Sequence, residues 1–313
     1  MTNALNSPML EGIKDSGRHF VSGGIAGMAE VCFAHPFDCM KTRLQIGQFH
    51  GILDCARRTL LKEGPSGFYK GLLPPLVIET PKRALKFMAF DRYWRVLRSD
   101  ALPTWLHYSM SGLFTGLTEA VLVCPFEVVK VRLQSELNTP FSQVIPFFKK
   151  SSATVAREIV HSNGWGTEGL YRGIGANLWR HGVWNSCYFG IYHNLRIFLC
   201  SSSRNSQSSA DRLETASLTM RLTIASLSAI VANLANIPFD VAKSRIQGPQ
   251  PTTGRLYFST WQSIGLLQRQ HGFCSIYRML FPFAFIFGPG GGMMLVIYEG
   301  IYEWLIRRSM ALE

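Results

Sequence analysis

The sequence predicts an all-α membrane protein, with six membrane-spanning helices in three pseudo-threefold repeats around a central cavity. Three observations lead there. A ten-residue pattern, P-F-(D or E)-x-x-K-x-R-x-Q, occurs at residues 36–45, 125–134 and 238–247. Six restricted positions repeated three times mark internal repetition and not chance. An apolar stretch with small residues at helical spacing precedes each copy, and a second marker with a constant internal register follows it.

Composition agrees with helices that face lipid on one side and a water-filled cavity on the other. At 47% hydrophobic residues and a mean hydropathy of +0.10, the chain is too apolar for an ordinary soluble protein and too polar for a wholly lipid-embedded one. The net charge of +12 fits solvated loops, an anionic lipid surface or an anionic substrate. The bases sit inside the repeat and form no stripe, so nucleic acid is excluded as a partner. Seven scattered cysteines without a C-x-x-C read as buried, reduced thiols. The first 16 residues contain Glu11 and Asp15 and little apolar length. Neither a secretory signal nor a cleaved transit peptide is expected there, and targeting information is expected to be internal.

The elements follow from the repeat. Gly23, Gly27 and Glu30 recur as Gly112, Gly116 and Glu119, at the same distance from the proline, and as Ala225, Ala229 and Ala232 in the third copy. Small residues four apart let helices approach closely in a membrane. The odd spans are expected at 17–47, 104–135 and 216–247, each kinked at its proline. After each comes a polar stretch, then Gly64 with Tyr69-Lys70-Gly71, Gly164 with Tyr171-Arg172-Gly173, and Gly272 with Tyr277-Arg278-Met279. Phe90-Asp91, Tyr192-His193 and Tyr298-Glu299 then fall at a fixed distance from each tyrosine. That constancy predicts even spans at 73–98, 175–199 and 280–306. The organisation is an N-terminal tail (1–13), repeat one (14–99), repeat two (103–200), a Ser-rich linker (201–213) and repeat three (214–308).

Within each motif the acid and the lysine are three apart and share a helix face. Around a threefold axis, the acid of one helix can pair with the lysine of the next. Asp38, Lys41, Glu127, Lys130, Asp240 and Lys243 are therefore the candidates for a gate. For Arg43, Arg132 and Arg245, contact with lipid or loops stands beside a mechanistic role.

These motifs resemble the mitochondrial carrier family over residues 14 to 307. The resemblance implies a six-helix barrel in the mitochondrial inner membrane, with both termini toward the intermembrane space and short amphipathic helices in the matrix loops. It places the ion-pair gate on the matrix side, with Gln45, Gln134 and Gln247 bracing it. It also implies a cytoplasmic gate on the even helices, reduced here to Asp91, Arg196 and Glu299, because Trp94 and Tyr302 stand where bases are usual. Substrate choice is expected near the midplane. There the even helices offer Ile78-Glu79, Arg180-His181 and Ile286-Phe287. Arg180 can take a carboxylate bidentately, and His181 can donate to a keto oxygen or to the same carboxylate. Lys82, Arg83 and Lys86 add positive charge, with snorkelling at the helix surface as the alternative reading.

In this family an Arg-His pair at that place goes with keto acids. The strings at 73–87, 188–194 and 288–299 are similar to those of members that carry 2-oxodicarboxylates. The expected activity is thus antiport of 2-oxodicarboxylates, of the 2-oxoadipate/2-oxoglutarate type, by a monomer without cofactor or metal, with inner-membrane lipid, including cardiolipin, as the other partner. Ile286 and Phe283 depart from the pattern, which holds an arginine and a lysine there. Arg83 or Lys82 is then expected to hold the second carboxylate. The departures leave two alternatives: a carrier for another dicarboxylate, tricarboxylate or amino acid, or a carrier-like adaptor that does not transport. No G-x-S-x-G, P-loop or H-E-x-x-H occurs, so no enzyme is expected.

Overall fold

The computed structural model describes residues 6–49, 51–97, 103–135, 151–201, 218–250, 254–272 and 277. Among them are eight α-helices, one 3-10 segment and no strand: α1 (Asn6–Ile46), α2 (Ile52–Glu63), the 3-10 segment Pro65–Tyr69, α3 (Leu73–Leu97), α4 (Thr104–Ser135), α5 (Ser152–Asn163), α6 (Ile174–Ser201), α7 (Leu218–Gln247) and α8 (Thr260–His271). The odd helices run through Pro36, Pro125 and Pro238 without a break. Helix α1 begins at Asn6, well before the expected residue 17. The expected sixth span, with Ile286, Phe283, Glu299 and Tyr302, lies outside the described residues.

Helix α4 has 32 residues, about 48 Å at 1.5 Å per residue, and exceeds the ~30 Å of hydrocarbon in a bilayer. Both α4 and residues Thr223–Gln247 of α7 are long and apolar enough to cross a membrane. Side-chain placement points the same way. Phe87, Met88 and Phe198 stand about 70% exposed on the outside. Glu119, Asn177, His181 and Asn185 are buried within. Apolar groups outward and satisfied polar groups inward are what a bilayer solvent selects.

Each repeat contributes a short helix (α2, α5 or α8) that ends at a glycine with positive φ: Gly64 at 70°, Gly164 at 76° and Gly272 at 74°. Each of these glycines donates its N–H to the carbonyl four residues back, of Leu60, Val160 and Gln268. A β-carbon is disfavoured in this left-handed turn, so glycine sets the point where the chain leaves the short helix.

Neighbouring spans pack in chain order: α1 on α3, α3 on α4, α4 on α6, α6 on α7, and the end of α7 back on α1. The α4–α6 contact is the closest. A β-carbon on Gly112 would stand 2.6 Å from the Asn185 carbonyl oxygen, and one on Gly116 would overlap the His181 carbonyl. Gly27 has only side chains opposite, Arg83 at 3.3 Å and Glu79 at 3.5 Å.

At the end of the bundle that carries the three motifs, Leu44, Phe49, Cys55, Val241, Ile246, Tyr257 and Leu267 form a buried apolar layer drawn from repeats one and three, joined by Ala176 of α6. Arg43 is fully buried beside it. It donates to Glu63 Oε2 (2.7 Å), Thr59 Oγ1 (2.7 Å) and the Gln134 carbonyl (3.1 Å). Lys70 joins at Glu63 Oε1, 2.9 Å away. Of the two readings left open for Arg43, lipid contact is therefore excluded: it ties α1 to α2. The other two differ, with Arg132 exposed and the Arg245 guanidinium 5.9 Å from the Tyr257 ring.

Gly116→Ala should lower the stability of the purified protein by about 1–3 kcal/mol, the range for overpacking a tight contact. Gly27→Ala should cost far less, because the arginine opposite it can move. Thermal unfolding of both variants in one detergent checks the contrast, and equal losses would place the close approach elsewhere.

Candidate functional site

The six motif charges meet at one level. Lys130 Nζ of α4 lies 2.9 Å from Asp38 Oδ2 of α1. Lys41 Nζ of α1 lies 2.6 Å from Asp240 Oδ2 of α7. Lys243 Nζ of α7 lies 3.2 Å from Glu127 Oε1 of α4. Each odd helix gives its lysine to one neighbour and its acid to the other, so the three pairs close into a ring. The i, i+3 spacing makes this possible, since it points acid and base from one helix face toward opposite neighbours.

The three glutamines do not behave alike. Gln45 donates to Asp240 Oδ2 at 2.7 Å and accepts from Ser244 Oγ at 2.6 Å, so it braces the Lys41–Asp240 pair. Gln247 donates to the Arg172 carbonyl instead, at 3.2 Å. The Gln134 side chain is buried with no hydrogen bond among the described residues. Of the three expected braces, only Gln45 touches the ring. The side chain is long, and a small offset of its helix decides which acceptor it meets.

Arg180 of α6 reaches the same level. Its Nη2 contacts Glu127 Oε1, its Nε lies 3.9 Å from Asp240 Oδ1, and Nε donates to Asn177 Oδ1 at 3.3 Å. Glu127 thus serves both Lys243 and Arg180. Three carboxylates face three lysines and this arginine, so the set carries one positive charge in excess. Beside Arg180, His181 Nδ1 lies 3.5 Å from Glu119 Oε1, and Asn185 Nδ2 donates to Glu119 Oε2 at 3.1 Å.

On α3 the cations are already engaged. Glu79 is buried and accepts from Lys82 (2.5 Å) and Arg83 Nε (2.6 Å), while Arg83 Nη2 reaches Glu30 Oε2 at 2.5 Å. Glu79, Lys82 and Arg83 therefore form a balanced cluster with Glu30. Lys86, one turn further along, lies 4.5 Å from the Trp184 ring centroid and 5.7 Å from that of Phe189. Trp184 is held by its Nε1, which donates to Asn233 Oδ1 of α7 at 2.7 Å. Lys86 thus spans from α3 to α6, one helical turn from Arg180.

The other end of the bundle looks different. Asp91 pairs along its own helix with Arg95, at 2.7 Å and with both side chains largely exposed. No ion pair joins it to Arg196 among the described residues. His193 stacks on Tyr108 with ring centroids 3.8 Å apart. Glu299 lies outside the described residues.

Glu30 and Glu119 carry roles that sequence reasoning left unassigned. Both fall six residues before the motif proline, and that shared offset was the available signal. Glu30 pairs with Arg83 and Glu119 contacts His181, each on the adjacent even helix. Ala232 holds the place in repeat three.

The three repeats individually match one family, described as "Mitochondrial carrier protein", over residues 14–101, 102–203 and 214–309. The mitochondrial 2-oxodicarboxylate carrier of Homo sapiens is 40% identical over 308 residues, covering 95% of this chain and 97% of that one. A probable mitochondrial 2-oxodicarboxylate carrier of Schizosaccharomyces pombe is 34% identical over 92% of this chain and 94% of its own. A mitochondrial citrate transporter D of Aspergillus niger is 31% identical over 92% and 94%. With its threefold match, its closed ring of motif charges and relatives that align end to end, the chain belongs to the mitochondrial carrier family, whose members are transporters and not enzymes.

Proposed function

We propose that the chain is a mitochondrial inner-membrane antiporter of 2-oxodicarboxylates, of the 2-oxoadipate/2-oxoglutarate type, working as a monomer by alternating access. Both termini face the intermembrane space, the ring is the matrix gate, and Asp91, Arg196 and Glu299 belong to the cytoplasmic side. Inner-membrane lipid, including cardiolipin, surrounds the bundle. The relatives that carry 2-oxodicarboxylates in their names support the substrate class. The observation that carries the reading is Arg180, the surplus cation beside the ring, bound to Glu127.

A substrate carboxylate that takes the Arg180 guanidinium bidentately competes with Glu127 for it. Glu127 then retains Lys243 as its partner in the ring, and the α4–α6 link at this level is lost. Binding and gating are coupled because they share one guanidinium. Wet ion pairs contribute about 0–1 kcal/mol each, so three of them close the passage without locking it. His181 lies beside the same carboxylate position to donate to a 2-oxo oxygen.

For the second carboxylate the geometry favours Lys86 over Lys82 or Arg83. The latter two would have to give up Glu79, whereas Lys86 rests on an aromatic face. Its seat on Trp184 is four residues from Arg180, about 6 Å along the helix axis, which suits a five- or six-carbon dicarboxylate. Glu79, Lys82 and Arg83 then shape the wall and balance its charge.

Exchange by the reconstituted protein against a panel of 2-oxoadipate, 2-oxoglutarate, citrate, aspartate and a monocarboxylate tests the reading. Arg180→Ala should abolish exchange at wild-type incorporation. Lys86→Gln should raise the apparent KM for dicarboxylates about tenfold or more, the effect of one charged hydrogen bond, and leave a monocarboxylate nearly unchanged. Preferred exchange of citrate by the parent would move the substrate class to tricarboxylates. Uptake by Arg180→Ala at the parent rate would dismiss the site.

The ring is tested separately. Asp38→Lys alone should weaken closure, and adding Lys130→Asp should partly restore exchange. A double-mutant cycle for the exposed Asp91–Arg95 pair should show almost no coupling. Zero coupling for Asp38–Lys130 would remove the gate from this level.

A further inference from the structure

A guanidinium has only donors, so any atom that receives a hydrogen bond from arginine must present a lone pair. Arg180 Nη2 contacts His181 Nε2. Nε2 is therefore the bare nitrogen of the ring, and the single proton of a neutral imidazole sits on Nδ1. That proton faces Glu119. Nδ1 lies 3.5 Å from Glu119 Oε1, while Asn185 Nδ2 donates to Glu119 Oε2 at 3.1 Å and to the His181 carbonyl at 2.9 Å. All three side chains are buried, and the His181 backbone is pressed against Gly116. The ring is thus held in one tautomer from both sides.

Once a substrate carboxylate has taken the Arg180 guanidinium, Nε2 loses its donor and meets a 2-oxo oxygen with a lone pair against a lone pair. That contact becomes a hydrogen bond only when Nε2 gains a proton. The charges around the ring permit this. Glu119 and Glu127 face it from α4, with Glu127 Oε1 3.9 Å from Nε2, and Arg180 is its neighbour on α6. Asp240 and Lys243 of α7 stand one contact further off, on Arg180 and Glu127. From α3, Lys86 and Lys82 act on Glu119 by charge. A dicarboxylate adds two negative charges to this set. An imidazolium between Glu119 and the substrate is then a charge-assisted donor on both nitrogens.

We propose that Glu119 is a positioning residue for the selection of 2-oxo acids. By holding the proton of His181 on Nδ1, it makes Nε2 a donor to the 2-oxo oxygen only after the ring takes up a second proton from the water of the cavity. The inference rests on the substrate class and on the role of Arg180 proposed above. Each 2-oxodicarboxylate binds together with one proton and gives it up on release, so one-for-one exchange of two such acids moves no net proton. An unprotonated ring penalises 2-oxo acids in particular, because a dicarboxylate without the oxo group sets no such oxygen against Nε2.

The test measures exchange of 2-oxoglutarate and of glutarate, which differ only in the oxo group, by the full-length reconstituted protein with equal pH on both faces. From about pH 6.5 to 8.5 both acids stay ionised, so their own charge is nearly constant. Groups that meet the carboxylates, such as Lys86, affect both acids alike and cancel in the ratio of the two apparent KM values. One proton taken up on binding changes affinity by up to about tenfold per pH unit, so the preference for 2-oxoglutarate should grow about fivefold or more as the pH falls across this range. Glu119→Gln should keep a preference and lose its pH dependence. Its amide oxygen accepts from Asn185, which turns the amide nitrogen toward Nδ1, and a ring that accepts at Nδ1 carries its proton on Nε2 without titrating. A merely structural role for Glu119 would weaken both acids at every pH and leave the profile of the ratio unchanged. A preference that does not vary with pH in the parent, or one that keeps the parent's profile in Glu119→Gln, overturns the proposal. The parent's profile alone decides should the variant fold poorly. Exchange of neither acid by the parent, or exchange that survives Arg180→Ala, refutes the underlying substrate reading and this inference with it.

Discussion

A charge carried toward the middle of a bilayer must meet an opposite charge, because the surrounding hydrocarbon offers it nothing else. Nearly every interior contact described here follows from that requirement. Six ring charges cancel among three helices, Glu30 and Glu79 hold Arg83 and Lys82, and Glu119 takes His181 and Asn185. The interior is assembled by pairing as well as by buried apolar layers. One cation more than the ring can neutralise, Arg180, is then a standing demand for an anion. It is met internally by Glu127.

Pairing explains why the passage can both close and open. A buried ion pair that loses one partner leaves an uncompensated charge, at a cost of about 3–5 kcal/mol. In the proposed mechanism an anionic substrate avoids that cost at Arg180 by replacing Glu127 with another carboxylate. The exchange is one anion for another at a fixed cation, so desolvation changes little while the connection between α6 and α4 is broken. No separate trigger is required, since the atom that recognises the substrate also restrains the helix end.

The sequence and the structure agree where symmetry operates and part where side-chain reach decides. The repeat, five of the six spans, the ring partners and the glycine-lined α4 face were legible, because each depends on spacing along a helix. Partner choice was not. Gln45, Gln134 and Gln247 share a position but meet an aspartate, no described partner and a backbone carbonyl, respectively. Arg43, Arg132 and Arg245 share another, yet Arg43 is fully buried because Glu63 and Thr59 are present in α2. Lys82 and Arg83, expected with Glu79 as substrate ligands, both pair with Glu79 three and four residues away on the same helix. For the glutamines and Arg43 a long side chain chooses among acceptors contributed by other parts of the fold, and no single-helix pattern carries that information.

The same departures bear on how the bundle moves. In repeat one, Arg43, Glu63, Thr59 and Lys70 join α2 to α1 and to the start of α3, so the three must shift together when the ring opens. Close glycine contacts bind α4 to α6 in the same manner along the membrane. Among the described spans, α4 and α6 of repeat two approach most closely. The repeats meet through more than the ring charges and the apolar layer, since α3 packs on α4, α6 packs on α7 and Arg43 donates to the Gln134 carbonyl, so rocking about the ring must carry these contacts with it.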